Sequence, residues 1–141
     1  MPVIFEYPHT VQADEIDDLG HVNNLVYVKW MLSAAVEHSS VQGWPPERYR
    51  EAQAGWVVRS HFIEYLQPAF AGEQTVVRTW IADFKKVSSR RRYKIIRPAD
   101  GTVLVTAETN WAFVGRERGL PMRIMPELRD AFEVCPTENE P

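Results

Sequence analysis

The sequence predicts an α+β protein, a curved antiparallel sheet of about five strands with one long apolar helix laid in its concavity. Three observations lead there. A single long helical run lies near the N-terminus, four strand-like runs follow it with no helix between them, and short separators divide those runs. Strand and helix do not alternate, which excludes a parallel doubly wound sheet, and no internal repeat is present. The 141 residues amount to about one domain, and a chain of that size buries about two-thirds of its unfolded surface in one core. The expected organisation is therefore a single domain over residues 1–141, with 136–141 as a frayed tail.

In chain order, "VIFEYPHTVQADEID" has alternating stretches and reads as a first strand running into a loop at Asp14 to Gly20. From Asn24 the period changes. Leu25, Val28, Met31, Leu32, Ala35 and Val36 fall on one helical face, and Gly43 followed by Pro45 and Pro46 stops the run. Tyr27, Trp30 and Ala34 add apolar bulk on adjoining sides, so the helix is expected to be wrapped by the rest of the domain. "PPERYREAQAG" is polar and reads as a loop or short helix over the edge of the core.

Beyond it, "WVVRSHFIEYLQP", "EQTVVRTWIADFKK", "SSRRRYKIIRP" and "TVLVTAETNWAFVG" are rich in β-branched and aromatic residues. Gly72, the Ser88-Ser89 pair and Ala99 to Gly101 separate them, which predicts antiparallel hairpins. "RGLPMRIMPELRDAFEV" adds a last turn of helix.

Composition narrows the class. Hydrophobic residues make up 45% and charged residues 25%, so disordered and fibrous classes do not fit. Five Trp, five Tyr and six Phe can fill a dense core and still line a ligand slot or a subunit contact. "MPVIFEYPHT" lacks the basic start and apolar stretch of a secretory signal, and no segment has the roughly 18 apolar residues of a membrane span. A cytoplasmic protein is expected. Cys135 stands alone, without a partner for a disulfide or a zinc site, and reads as incidental. A net charge of −3 offers no general attraction for nucleic acid. "KKVSSRRRYKIIR" nevertheless holds seven of the sixteen Lys and Arg, a patch that either meets an anion or is a solvated strand face.

The densest polar chemistry is "IDDLGHVNNLVYVKW", residues 16 to 30, set directly before the helix. Its stretch from Asp17 to Trp30 resembles the motif of hotdog-fold thioesterases of the 4-hydroxybenzoyl-CoA thioesterase type. "HVNN" followed by Tyr27 and Trp30 is also similar to plastid-type acyl-carrier-protein thioesterases, and the likeness continues more loosely through "IEYLQPAFAGEQTVVRTW" and "RRRYKIIRPADGTVLVTAETNWAFV". The resemblance implies a hotdog fold and hydrolysis of an acyl-CoA or acyl-ACP thioester to a carboxylic acid and free thiol. It also implies a homodimer or homotetramer with a phosphopantetheine tunnel between subunits, and no metal or redox cofactor. A lone unit of this kind leaves a sheet edge uncovered, which also favours pairing.

The residues support that chemistry on their own terms. Thioester hydrolysis needs a group that activates water or attacks the carbonyl, donors for the oxyanion and a slot for the acyl group. Asp17 precedes a helix start whose N–H groups lack intrahelical partners and favour negative charge, so it suits the role of base or nucleophile. The backbone N–H of Asn24 is the leading oxyanion donor, on the helix start the resemblance places there. Gly20 lets a thioester approach the main chain, or is simply a turn residue; Asn23 binds substrate or caps the helix.

His21 either orients water or contacts the leaving sulfur, as the plastid-type enzymes imply, or it holds the loop. Asp18 reads as a solvated neighbour. Leu19 and Pro68 occupy positions where the plastid-type enzymes carry Asn and a carboxylate, which argues against their multi-residue relay. Tyr27 and Trp30 are core aromatics or lining of the acyl pocket. His61 and Glu64, on opposite faces of a strand, are candidates to reach a neighbouring subunit's site. Ser89, Arg90 and Arg92 are candidates for the CoA phosphates, the two arginines sharing one strand face. Trp44, Trp56, Phe62 and Trp111 would set pocket depth. Two other readings share these features: a hotdog enoyl-CoA hydratase or dehydratase, and a non-catalytic acyl-CoA or lipid-binding module.

Overall fold

The computed structural model describes residues 3–141; the start of the N-terminal decapeptide read above lies outside the described residues. Its strands are β1 (Phe5–Thr10), β2 (Ala54–Tyr65), β3 (Gln74–Phe84), β4 (Ser88–Arg97) and β5 (Thr102–Gly115). Its helices are α1 (Asn24–Val41), α2 (Pro46–Glu51) and α3 (Pro126–Asp130), with single 3-10 turns at Ala13–Glu15 and Thr137–Asn139. All five strands join one sheet in the order β1-β3-β4-β5-β2, and every neighbouring pair is antiparallel.

The hairpins expected between β3 and β4 and between β4 and β5 are present, but β2 and β3 do not pair. β2 instead lies beside β5 at the far edge, so residues 66–73 carry the chain across the sheet. The β3–β4 reversal also differs from expectation. Ser88 and Ser89 are the first residues of β4, and the turn is closed ahead of them by the Lys85 N–H donating to the Ser88 carbonyl at 2.8 Å. Ser89 Oγ then donates to the Asp83 carbonyl at 2.7 Å, which satisfies its hydroxyl inside the strand pair.

Helix α1 runs over 18 residues. Asn23 caps it by accepting from the Leu25 N–H, and the turn after Val41 passes through Gly43 at φ +94°, a conformation open to glycine. Its buried face is Tyr27, Trp30, Met31, Ala34, Ala35, His38 and Ser39, about a quarter turn from the expected stripe. Only Met31 and Ala35 of that stripe are buried, while Leu25 and Val36 are 76% and 50% exposed. The helix is thus covered on one side rather than wrapped. The sheet packs against the face carrying the aromatics, since Tyr27 and Trp30 bring far more apolar area than Leu25 or Val28.

Two apolar clusters lie toward the two ends of α1. One joins Tyr27, Trp30 and Met31 to Val22, Ala69, Tyr93 and Leu104; the other gathers Trp44, Tyr49, Phe113, Ile124 and Leu128. The C-terminal tail, expected to fray, is docked. The Cys135 N–H donates to the Ile81 carbonyl, and Glu140 Oε2 accepts from Trp80 Nε1 and from Arg92 Nη1, both at 2.7 Å. Cys135 is buried, and burial pushes its thiol up. Among the described residues no helix is long and apolar enough to cross a membrane.

Candidate functional site

The loop before α1 is folded by its own polar groups. The Gly20 N–H donates to the Asp17 carbonyl at 3.0 Å and the Asp17 N–H to the His21 carbonyl at 2.9 Å, while Gly20 takes φ +88°. Asp17 Oδ1 accepts from the Leu19 N–H at 2.9 Å, so one carboxylate oxygen is anchored and the other is left without a partner among the described residues. The side chain is 30% exposed, neither sealed in the core nor free in bulk water. His21 Nδ1 stands 4.0 Å from Asp17 Oδ1, beyond hydrogen-bond range, and its ring meets the edge of Phe70. Asp18 is exposed.

The helix start supplies donors. Asn23 Oδ1 takes the Leu25 N–H at 2.9 Å and the Asn23 carbonyl takes the Val26 N–H, also at 2.9 Å. Nothing among the described residues accepts from the Asn24 N–H, so the capping pattern leaves that donor available at the positive end of the helix. The Asn24 carbonyl accepts from the Tyr65 hydroxyl at 3.1 Å, which ties the end of β2 to the helix start.

Segment 66–73 completes the surroundings. Val22 donates to the Ala69 carbonyl at 2.9 Å, and the Ala69 N–H donates to the Tyr27 hydroxyl at 3.2 Å. Burial pushes the Tyr27 phenol up, and the charges of Glu73 and Asp17 act in the same direction. Tyr27 and Trp30 are both buried core residues. Leu19, Leu25, Phe70 and Tyr65 remain exposed nearby, an apolar rim on this end of the single chain.

Glu15 was not singled out in the sequence and organises the loop. Its Oε1 accepts from the Gln12 N–H and contacts His9 Nε2, and its Oε2 accepts from Trp30 Nε1, all at 2.8 Å. Burial raises its carboxyl, but these hydrogen bonds outweigh that and hold it below the ordinary 4.5. The available signal was the Gln12-x-x-Glu15 spacing, a capping box around the 3-10 turn.

The candidates on β4 lie apart from this loop. Arg90 forms an ion pair with Asp83 at 2.7 Å, and Arg92 bridges Glu108 at 2.8 Å and Glu140 at 2.7 Å. They share the outward face of β4 as expected, and both are engaged by carboxylates of this chain. Ser89 is buried on the opposite face. His61 Nδ1 pairs with Thr109 Oγ1 at 2.7 Å. A cavity of about 730 Å³ lies near the other end of α1, where Trp44, Trp56 and Trp111 line it; Phe62 stays exposed on β2. Among the described residues no group of three or more His, Cys, Asp or Glu is placed to hold a metal ion.

Residues 11–132 match the family model described as the thioesterase-like superfamily. No curated protein sequence matches the chain. Among solved structures, the chain is similar to a 1,4-dihydroxy-2-naphthoyl-CoA thioesterase from Synechocystis, at 16% identity and a TM-score of 0.84 over 91% of this chain and 94% of that one. A gentisyl-coenzyme A thioesterase is 20% identical, with a TM-score of 0.81 over 91% and 99% of the two chains. A Staphylococcus aureus protein solved in complex with CoA is 15% identical, with a TM-score of 0.85 over 91% and 80%. At these identities the likeness establishes the fold.

Proposed function

From a chain that belongs to the thioesterase-like superfamily, and is by that membership a thioester hydrolase, we propose an acyl-CoA thioesterase whose reaction is carried by Asp17 and the Asn24 N–H. The single observation behind this reading is the loop geometry. One Asp17 oxygen is pinned by the Leu19 N–H and the other has no partner among the described residues, at a loop that ends on a helix N–H that likewise has no acceptor among them. A carboxylate so held is oriented by one oxygen and presents the other to a reactant.

In the proposed reaction the thioester carbonyl oxygen accepts from the Asn24 N–H, which stabilises the negative charge that develops on it. Asp17 either removes a proton from a water that adds to the carbonyl carbon, or adds to that carbon itself and is released by water afterwards. In both routes the C–S bond breaks, the sulfur leaves as thiolate and takes up a proton, and a carboxylic acid is released. His21, 4.0 Å from Asp17, is proposed to orient that water or the leaving sulfur. Gly20 and Asn23 are proposed to border the thioester, with Tyr27 as the floor beneath it.

CoA rather than carrier protein is the proposed thiol half, supported by the CoA thioesterases and the CoA complex among the similar structures. The intramolecular pairs of Arg90 and Arg92 would have to open for either to contact its phosphates. A homodimer, or a tetramer of dimers, is supported by the free edge of β2 and by exposed Phe62, Tyr65 and Leu25 on that side. Light scattering that gave a monomer mass under assay conditions would exclude it.

The test is thiol release from a panel of acyl-CoA and acyl-ACP substrates by wild type and Asp17→Asn. Loss of at least about a hundredfold in kcat with an unchanged melting temperature is the expected result. Equal rates for the two proteins, both above background, would remove Asp17 from the chemistry. Hydration of an enoyl-CoA with the thioester intact would point to a hydratase instead.

A further inference from the structure

The cavity near the C-terminal end of α1 holds a cation that nothing in the proposed reaction uses. Alternation along β4 sends Ser89, Arg91, Tyr93 and Ile95 into the interior. Arg91 is 4% exposed. Its Nη1 donates to Thr79 Oγ1 and to His38 Nδ1, each at 3.0 Å. Its Nε–H and Nη2–H groups have no acceptor among the described residues, and no carboxylate there pairs with it, in contrast to Arg90, Arg92 and Arg97. Burial, with the adjacent guanidinium, drives His38 down to about 3, so the imidazole is neutral and contributes a lone pair but no charge. Arginine itself stays protonated at any working pH.

A buried cation without a counter-ion is costly, and folds retain one mainly where something else supplies the charge. Arg91 also lines the cavity of about 730 Å³, whose other walls include Val36, Trp56, Ile81, Phe84, Trp111 and Phe132. That volume falls within the roughly 300–1,000 Å³ of small-molecule sites, and such sites pair apolar walls with a few placed polar groups. One guanidinium balances one negative charge and presents a fork of N–H donors that fits a carboxylate. Of the two cations among the lining residues, Arg116 is exposed and its Nε donates to the Ala54 carbonyl at 2.9 Å, which leaves Arg91 as the one buried cation in these apolar walls, matched by the single charge of a carboxylate.

We propose that this cavity binds a carboxylate carried on an apolar body, with Arg91 as its counter-ion. The site involves neither Asp17 nor Asn24 and stands independently of the proposed hydrolysis. A free acid and the terminal carboxylate of an acyl thioester offer the same chemistry. Tryptophan fluorescence reports on the cavity through Trp44, Trp56 and Trp111. Wild-type protein is titrated with dodecanoate, dodecanol and acetate below micellar concentrations. Dodecanoate is expected to bind about tenfold or more tightly than dodecanol, as hydrogen bonds to a charged partner imply, and acetate not detectably. Arg91→Met should erase the preference for acid over alcohol, and Asp17→Asn should leave it intact.

Equal affinity of wild type for acid and alcohol would overturn the proposal, as would an acid preference that survives in folded Arg91→Met. Should that variant fail to fold, the wild-type comparison decides by itself. A KM for the mono-CoA thioester of dodecanedioic acid about tenfold below that of dodecanoyl-CoA, lost in Arg91→Met, would assign the carboxylate to the substrate. Equal KM values alongside tight dodecanoate binding would assign it to the free acid.

Discussion

Trp30 Nε1 donates to Glu15 Oε2 at 2.8 Å, so a buried indole on the second turn of α1 fixes the loop that carries Asp17. Glu15 is also joined to Asn23 through the main chain, its carbonyl accepting the Asn23 N–H at 3.0 Å. One residue therefore sets both the entry of the loop and the cap of the helix. Glu15→Gln replaces a carboxylate oxygen with an NH₂ group facing other donors, and should cost about 1–3 kcal/mol. Because the folded carboxyl lies below its ordinary 4.5, its contribution is present above that pH and is lost as pH falls through the lower folded value. Urea titrations at neutral and acidic pH should show the difference between wild type and Glu15→Gln shrinking with acid. The kcat of the variant should fall with it at neutral pH, since the loop loses its anchor.

His38 gives a second pH dependence with the same sign. It is buried, stacked on Phe5 and edge-on to Phe132, with Arg91 at its Nδ1, and its value is lowered from 6.5 to about 3. The unfolded chain binds the proton more readily, so stability is fully present above 6.5 and declines as pH drops from there toward 3. Between pH 6.5 and pH 5 that amounts to about 2 kcal/mol. His38→Gln keeps an acceptor for Arg91 and cannot titrate, so its melting temperature should vary less than that of wild type across this interval. Parallel pH profiles for the two would show that His38 does not carry the effect.

Gly20 separates two uses of glycine. A Cβ added there meets nothing within 4 Å, so the fold requires glycine only for φ +88°. Gly20→Ala should destabilise by about 1 kcal/mol, whereas Gly20→Asn, more tolerant of positive φ, should cost less. If the open space serves a thioester, both variants lose activity, and Gly20→Asn does so at near wild-type stability. Activity that merely followed stability would make Gly20 a turn residue alone.

The sheet, the long helix and the polar loop before it were legible because each has its own periodicity or punctuation. What the sequence left undetermined depends on tertiary choice. The stripe Leu25, Val28, Leu32 and Val36 and the aromatic face of Tyr27 and Trp30 are both apolar, and only packing against the sheet decides which is covered. β2 pairs with β5 rather than with β3, a non-local preference that the short separator at Gly72 hides. The Ser88-Ser89 pair has the composition of a turn and is held in strand by Asp83 across the hairpin. Glu140 docks through side chains dozens of residues away, which no local pattern announces. Arg91 was within reach, since alternation from Tyr93 and Ile95 puts it on the core face, but in a run of three arginines that parity looks like a uniform basic surface.

The proposed reaction requires a backbone N–H at the start of α1 to meet a developing oxyanion beside Asp17. Asn24→Pro deletes that N–H while leaving the helix intact, because proline is well accommodated at the first helical position and Asn23, at φ −61° and ψ 135°, already has the conformation a following proline requires. Measured by thiol release from acyl-CoA alongside thermal unfolding, the variant should melt like wild type and lose about 10²–10³ in kcat. An unchanged kcat in a folded Asn24→Pro protein would contradict the account.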